Sequence, residues 1–479
     1  MSGDVGSKKR LISITGGNIR NDHIYISGHH DFFPKECYGS SESKKGLGKP
    51  LILLLEGLNK EIETDISNGT NGKPRNFFRK RNWVSKFFKQ FNICEGDVIA
   101  IEKITKYKYR VYPFETKNIR EVPEIPSHWS KPPASKLRVV DLFAGCGGFS
   151  YGLKKAGFEN LLSVEWDKSC CETFKANISP RILNCAIQEI ETFPETDLLV
   201  GGPPCQGFSN LGEKLPNDPR RQLWRHFLRA VKDSNPLIFI MENVPPILKS
   251  AEYQEIVKQA RKLGYEVEGR ILNAAFYGVP QQRKRAIIIG SRIGKPVFPK
   301  PTHRTPNDSN LYESDLPIWK TVKDAISDMP AKPDGKNWHI GRNPTELSEK
   351  RYRCIPAGGN RWNLPLALTP ECWKRKTKGG TDLFGRLWWN KPSVTIRTEF
   401  YKPEKGRYLH PVKHRPITHR EAARLQGFDD DFIFIGKKIE VGIQIGNAVP
   451  PPLAYQIGLA VKKEIERWRH KNNVIKKTA

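Results

Sequence analysis

The sequence predicts an α/β protein: a parallel-sheet domain preceded by a β-rich domain and interrupted by an irregular insertion. From Leu137 to about Arg292, apolar strands, glycine turns and helices alternate, as βαβ units do. Residues from about 12 to 115 instead set short β-rich runs between polar turns. Residues from about 295 to 390 are rich in Pro, Gly, Trp, Lys and Arg and show little periodicity, although they lie between two well-patterned segments.

Taken in order, Ile24 to Ile26, Leu51 to Leu55, Val98 to Ile101 and Tyr107 to Tyr112 read as strands. Trp83, Phe87 and Phe88 have the spacing of one buried helix face. The stretch EVPEIPSHWSKPPAS, with Pro123, Pro126, Pro132 and Pro133, reads as a linker. A strand over Arg138 to Phe143, a helix over Gly148 to Ala156 and a strand ending in Glu165 follow. Further strands are expected at Asp197 to Val200, Leu237 to Met241 and Ile287 to Ile289. The chain closes with a helix at Thr418 to Gln426, a Gly and Pro segment at Gly446 to Pro452, and a basic helical tail. The expected division is residues 1–125, a linker at 126–136, a catalytic domain from 137–295 and 391–470, and an insertion at 296–390.

Charge points to the partner. Eighty Lys and Arg against 51 Asp and Glu give a formal charge of +29 over 479 residues, which suits a polyanion such as nucleic acid. An anionic membrane surface, or mere solubility, is the alternative. The opening residues lack the apolar stretch of a secretory signal, and runs such as Leu51 to Leu55 fall far short of the roughly 20 residues that span a bilayer, so a soluble, intracellular protein is expected. Nine cysteines, at positions 37, 94, 146, 170, 171, 185, 205, 354 and 372, contain no CxxC pair; no metal site or disulfide frame is expected.

The chemistry collects at predicted strand ends. Gly145, Gly147 and Gly148 form a turn where backbone approaches a ligand at a helix start. Glu165, about 20 residues on, is suited to ribose hydroxyls, and Trp166 either stacks on an adenine or caps the sheet. These features fit a nucleoside cofactor without choosing between NAD and AdoMet. In GGPPCQGFS two prolines fix a turn that presents the Cys205 thiol. Glu242 and Asn243 end the next strand, and Arg283 and Arg285 precede another, so thiol, carboxylate and arginines converge as for nucleophilic attack on a polar ring.

The segments DLFAGCGGFS, VEWD, GGPPCQGFS, MENV, QQRKR, REAARLQGF and QIGNAVPPPLA, in this order across about 137–465, resemble the motif series of the cytosine carbon-5 DNA methyltransferases. The resemblance implies a Rossmann-like AdoMet-dependent methyltransferase fold with an inserted target recognition domain. It also implies S-adenosyl-L-methionine as cofactor and double-stranded DNA as substrate, with the target cytosine flipped out of the helix. Cys205 would be the nucleophile and Glu242 would serve ring nitrogen 3. Arg285 would hold the cytosine carbonyl, with Arg283 supporting the same region. Phe143, Ala144, Gly145, Cys146, Gly148, Glu165, Trp166, Pro204, Leu223 and Asn447 would line the cofactor pocket, and Gln206 to Gln222 would form a lid over the base. One departure stands out: Ala186 replaces the Asp that the family sets against the adenine amino group.

In the insertion, Arg353, Arg361 and Arg375 are candidates for phosphate or guanine contacts. The first domain, through HIYISGHHDFFPKECYG, the tryptophan helix and the Glu-Gly-Asp-Val turn, resembles the DNA-binding pseudobarrel of plant transcription factors and some restriction endonucleases. Arg75, Arg79, Lys80 and Arg81 would track phosphates there. The resemblance also implies a restriction-modification role, with a cognate restriction endonuclease acting on the same site and a monomeric, bacterial, cytoplasmic, nucleoid-associated enzyme. The rivals are an RNA cytosine methyltransferase of the same fold, a non-catalytic DNA-binding scaffold, and a nicotinamide oxidoreductase, which explains the glycine turn alone.

Overall fold

The computed structural model of the protein describes residues 8–41, 46–56, 58, 60–69, 72–91, 93–115, 125–126, 129, 136–204, 223–306, 315–375 and 378–478. The chain divides into two compact units, Met1–Glu121 and Val122–Ala479.

In the first unit, β1 (Lys9–Ser13) precedes helix α1 (Gly16–Asn21), then come β2 (Tyr38–Gly39), β3 (Leu51–Leu55), β4 (Lys60–Thr64), β5 (Ile66–Asn68) and β6 (Pro74–Phe78). Helix α2 (Val84–Gln90) leads to β7 (Val98–Lys103) and β8 (Lys108–Glu115). One sheet has the order β1-β7-β8-β3-β4 and a smaller one β2-β5-β6. Leu51, Leu53 and Leu55 alternate inward, as period-two strands require, and meet Trp83, Phe87 and Phe88 in one core. Ile24 and Ile26, read from sequence as strand residues, are buried in that core but lie in no strand: the chain crosses the core there, with Ile26 N donating to Asn76 O at 2.8 Å. The Glu-Gly-Asp-Val turn is closed by Asp97, whose carboxylate accepts from Cys94 N at 2.7 Å.

Among its described residues the second unit holds a seven-stranded sheet in the order β11-β10-β9-β12-β13-β15-β14: β9 (Leu137–Leu142), β10 (Phe158–Glu165), β11 (Ile182–Asn184), β12 (Leu198–Gly201), β13 (Ile238–Asn243), β14 (Glu266–Asn273) and β15 (Lys284–Ser291). Helices α3 (Gly148–Lys155), α4 (Lys168–Asn177), α5 (Leu223–Ser234) and α6 (Ala251–Lys262) connect them. Adjacent strand residues enter opposite cores: Val140, Phe239 and Ile288 pack with Trp224, Phe227 and Ile256, while Val139, Ile240 and Ile287 pack with Phe149 and Leu153. Burial on both faces explains why these strands read as continuous apolar runs.

The expectation of parallel units throughout is corrected at one edge, where β15 runs antiparallel to both β13 and β14. Only a single 3-10 turn, Ala274–Tyr277, lies between β14 and β15, so the chain returns by a short connection over 274–283, and this reversal brings the start of β15 beside the end of β13.

Among the described residues after β15 come the short helices α7 (Val322–Ile326), α8 (Glu346–Arg353) and α9 (Glu371–Lys374), before α10 (His419–Gln426), α11 (Lys438–Asn447) and the long α12 (Pro451–Thr478). Buried arginines fasten this irregular region. Arg386 donates to the carbonyls of Ile355, His410, Lys413 and Tyr352, and Arg407 to those of Gly358, Gly359, Arg386 and Thr381. Backbone acceptors that strands would otherwise satisfy are paired in this way. Val322, Ile326 and Leu387 of this region share a core with Phe400, Phe428 and Ile445. Among the described residues no helix is long and apolar enough to cross a membrane.

Candidate active site

Strand order reverses between β9 and β12, and the turns that leave these two strands open on the crevice where doubly wound sheets take their ligands. After β9, Phe143 and Gly145 both take positive φ, 58° and 55°. For phenylalanine that backbone is strained, a feature that concentrates at functional sites. A side chain added at Gly145 would meet open space, so the glycine leaves a cradle in front of the sheet. Its N–H donates to Glu165 Oε2 at 2.9 Å, and Asp167 N donates to Glu165 Oε1 at 2.9 Å. Burial pushes the Glu165 carboxyl up to about 7, and these two backbone bonds oppose that shift. A carboxylate so fixed keeps lone pairs for ribose hydroxyls, and Trp166 stands beside it, 59% exposed. The residues therefore fit the nucleoside end of AdoMet.

Behind the cradle, Asp141 accepts from Ser150 Oγ at 2.6 Å in the first turn of α3. Burial also pushes the Asp141 carboxyl up to about 7. Two of the expected cofactor residues owe their chemistry to packing. Cys146 is buried, with its Sγ 3.6 Å from Gln444 O and its thiol pushed up to about 12 by burial, so its side chain faces α11. Gly148 lies directly against the Val449 carbonyl and leaves no room for a side chain. Asn447 ends α11 in a segment gripped from both sides: Arg283 Nη2 donates to Gly446 O at 3.0 Å, and Gln426 Nε2 to Ile445 O at 2.8 Å and Ala448 O at 3.0 Å. Leu223 opens α5 and packs, half-buried, on the sheet. Ala186 caps the 187–189 turn without a side-chain bond, so the missing acceptor is not restored at that position.

At the end of β13, Glu242 Oε1 lies 2.8 Å from Arg285 Nε, and both side chains are largely buried. The antiparallel register explains the pairing, because Glu242 stands opposite Ile287 and the next pair of residues toward the crevice belongs to the start of β15. Gly202 leaves the room: a Cβ there would be 3.1 Å from Glu242 Oε2. Asn243 Nδ2 donates to Pro203 O at 3.0 Å, tying the end of β13 to the Gly-Gly-Pro-Pro turn. Pro204 is described and half-buried, whereas Cys205 and the whole Gln206 to Gln222 segment lie outside the described residues. Arg283 is 1% exposed and donates to the Ile396 and Gly446 carbonyls, so it braces the site from behind.

Sequence reasoning assigned no role to Asp141, Gly202, Gln281 or Gln426. A carboxylate inside the buried run VVDLF was the available signal for Asp141. Gln281, whose Nε2 donates to Leu425 O at 3.2 Å and whose Oε1 accepts from Ile396 N at 2.9 Å, and Gln426 bond residues too distant in sequence to leave one. In the irregular region Arg353 and Arg375 are exposed, but Arg361 is not a surface reader: it is buried, donates to Gly379 O at 2.8 Å and stacks under Trp362. In the first unit Arg75 and Lys80 are exposed, while Arg79 pairs with buried Asp65 at 2.6 Å and Arg81 is bonded to His23.

The family model for C-5 cytosine-specific DNA methylases matches residues 137–463. The Type II methyltransferase M1.HphI of Haemophilus parahaemolyticus is 37% identical over 350 residues, covering 68% of this chain and 87% of the relative. The Type II methyltransferase M.Eco47II of Escherichia coli is 32% identical over 423 residues, covering 79% and 97%. A solved E. coli prophage chain described as a DNA modification methyltransferase aligns with a TM-score of 0.51 at 27% identity, covering 69% of this chain and all of that one. With the glycine cradle, the buried Glu165 carboxylate and the Glu242–Arg285 pair at the ends of strands of one sheet, the chain belongs to the C-5 cytosine-specific DNA methylases, AdoMet-dependent enzymes that methylate carbon 5 of cytosine in DNA.

Proposed function

We propose that this methylase acts through Cys205, Glu242 and Arg285 on a cytosine turned out of the duplex, as the modification enzyme of a Type II restriction-modification system. Carbon 5 of cytosine is too electron-poor to attack a methyl donor unaided. The Cys205 thiolate adds at carbon 6, and Glu242 donates a hydrogen bond or proton to nitrogen 3, where the displaced electron pair collects. Carbon 5 is then enamine-like. AdoMet, when bound, supplies an electrophilic methyl group. A base next removes the carbon-5 proton, the electron pair re-forms the ring double bond, and the cysteine leaves. Arg285 holds the Glu242 carboxyl in place and reaches the cytosine carbonyl oxygen. Arg283 positions the Asn447 segment through the Gly446 carbonyl.

The observation that carries this reading is the Glu242–Arg285 pair at 2.8 Å, one hydrogen bond from the turn that bears Cys205. Residues 137–295 and 391–470 form the catalytic domain on this reading, and 296–390 supply most of the target recognition. Residues 1–125 add DNA contacts. The Type II names of the relatives support the restriction-modification role, and with it a cognate endonuclease, a bacterial cytoplasm and the nucleoid as workplace. A monomer suffices for one crevice and one base.

A duplex with 5-fluorocytosine at the target tests the chemistry. Because fluorine is not removed as a proton is, intact enzyme with AdoMet will accumulate a covalent adduct, and Cys205→Ala will not. Turnover by Cys205→Ala would refute the mechanism.

A further inference from the structure

We infer that Trp362 and Leu366 form a stiff apolar tip that reads base edges of the duplex beside the target cytosine. The inference rests on the reading of 296–390 as the recognition region. Leu366 is 74% exposed and Trp362 48%, directly beside a cluster in which Tyr352, Ile355, Leu364 and Phe384 are buried together. Leu364, between them in sequence, is the anchor that turns its two neighbours outward.

The tip is built to hold its shape. Asn360 Oδ1 accepts from Trp362 N at 2.9 Å, and Asn363 Oδ1 accepts from Asn360 N at 2.9 Å. Buried Arg361 places its guanidinium 3.9 Å from the Trp362 ring centre. The positive φ of Gly379 and Gly380 lets the chain pass Arg361, where a Cβ at Gly380 would come within 2.9 Å of its Nε. Pro365 opens the Leu366–Leu368 turn, and Arg351 Nε and Thr369 Oγ1 hold the carbonyls of Leu368 and Pro365 at 2.8 and 3.0 Å. These bonds hold the backbone of the turn that presents Leu366, whose exposed apolar area is available to a partner.

Charge names the partner. Residues 346–378 carry eight Lys and Arg against three Glu, which attracts a phosphate backbone and repels a basic protein surface. The tip also connects to the catalytic edge: Arg407, which donates to Gly358 and Gly359 at its base, lines with Gln282 a hollow of about 220 Å³, and Gln282 immediately precedes Arg283. Apolar groups discriminate bases by touching the thymine methyl in the major groove or by entering an opened base step.

The test uses the full chain with Leu366→Ala, Trp362→Ala and Trp362→Phe, and measures methylation rates on the target duplex and on duplexes changed at single flanking positions. Leu366→Ala and Trp362→Ala will narrow the discrimination tenfold or more, with AdoMet affinity and the salt slope of DNA binding unchanged, and Trp362→Phe will retain it. Uracil in place of a flanking thymine will slow the native enzyme but not Leu366→Ala if the contact is to the methyl, and will slow neither if a base step is entered. Discrimination within twofold of native in both alanine variants would overturn the inference, as would an equal loss on every duplex, which marks a role in folding or in protein contacts. Exchange of 296–390 for the segment of a relative with another target separates the two levels. A moved target with neutral alanine variants removes only the tip, whereas an unmoved target removes the recognition reading itself.

Discussion

Asn243 Nδ2 donates to the Pro203 carbonyl at 3.0 Å, while Asn243 Oδ1 accepts from Val244 N at 2.8 Å. One amide thus joins the end of the strand that carries Glu242 to the Gly-Gly-Pro-Pro turn, the turn that precedes the proposed nucleophile in sequence. Asn243→Ala leaves the Pro203 carbonyl without this donor, a loss of about 1–3 kcal/mol for a buried group. The expected outcome is a kcat reduced about 10-fold to 100-fold, the cost of sub-ångström misplacement, with AdoMet affinity within twofold of native. Single-turnover kinetics beside calorimetric AdoMet titration checks both. An unchanged kcat would show that the turn is held by other means.

The buried carboxyls predict a pH dependence. Burial raises Glu165 from its ordinary 4.5 to about 7, so between those values the folded, ligand-free protein retains a proton that the unfolded chain has lost. Stability of the ligand-free protein therefore falls as pH rises through this window. Asp141, raised from 3.8 to about 7, acts in the same sense. Ribose hydroxyls donate to the ionised carboxyl, so AdoMet binding releases a proton and strengthens as pH rises through about 7. Between pH 8 and pH 6 the affinity should weaken roughly tenfold, and Glu165→Gln should flatten the profile while weakening binding throughout. A native affinity that does not change across this range would count against the assignment of Glu165 to the ribose.

Why some of this was legible and some not follows from where each partner lies. The glycine cradle is local chemistry: positive φ at Gly145 and a helix start at Gly148 are properties of the sequence AGCGG itself. The strands were legible because burial on both faces leaves unbroken apolar runs. The direction of β15 was not, since Lys284–Ser291 reads the same whether it pairs parallel or antiparallel, and only the short connection from β14 decides it. Arg283 illustrates the limit: it stands in the QQRKR motif beside Arg285, yet its bonds reach Ile396 and Gly446, more than a hundred residues away. Arg361 misleads for a related reason. Its neighbour Trp362 is exposed, and nothing in RYRCIPAGGNRW shows that the guanidinium turns inward beneath the ring.

Ala186 makes a gain-of-function prediction. It occupies the N-cap of the 187–189 turn in extended conformation and contributes no side-chain bond. An Asp there would cap the turn and offer the adenine amino group a charged acceptor. At a partly solvated rim such a bond contributes about 1 kcal/mol, so Ala186→Asp should tighten AdoMet roughly fivefold with kcat on saturating substrate unchanged. Calorimetric titration decides it. A variant with native or weaker affinity would indicate that this chain already supplies another acceptor to the adenine.

The first unit can be tested charge by charge, because its basic residues divide into two kinds. Arg75 and Lys80 are exposed, whereas Arg79 is spent on buried Asp65 and the Ser40 carbonyl, and Arg81 on His23 and the Phe77 ring. If this unit tracks the phosphate backbone, each exposed contact removed should lower the log-log salt slope of DNA binding by about 0.9. Arg75→Ala with Lys80→Ala should therefore lower it by up to about 1.8 without moving the methylated base. Arg79→Ala should act differently, as it leaves the buried Asp65 carboxylate without its ion pair and so costs thermal stability before it costs DNA affinity. Removal of residues 1–125 sets the limit: affinity and slope should both fall, and bisulfite mapping should return the same methylated positions. A slope unchanged by that truncation would assign the unit to a partner other than DNA, and a moved target would place part of the sequence reading in it.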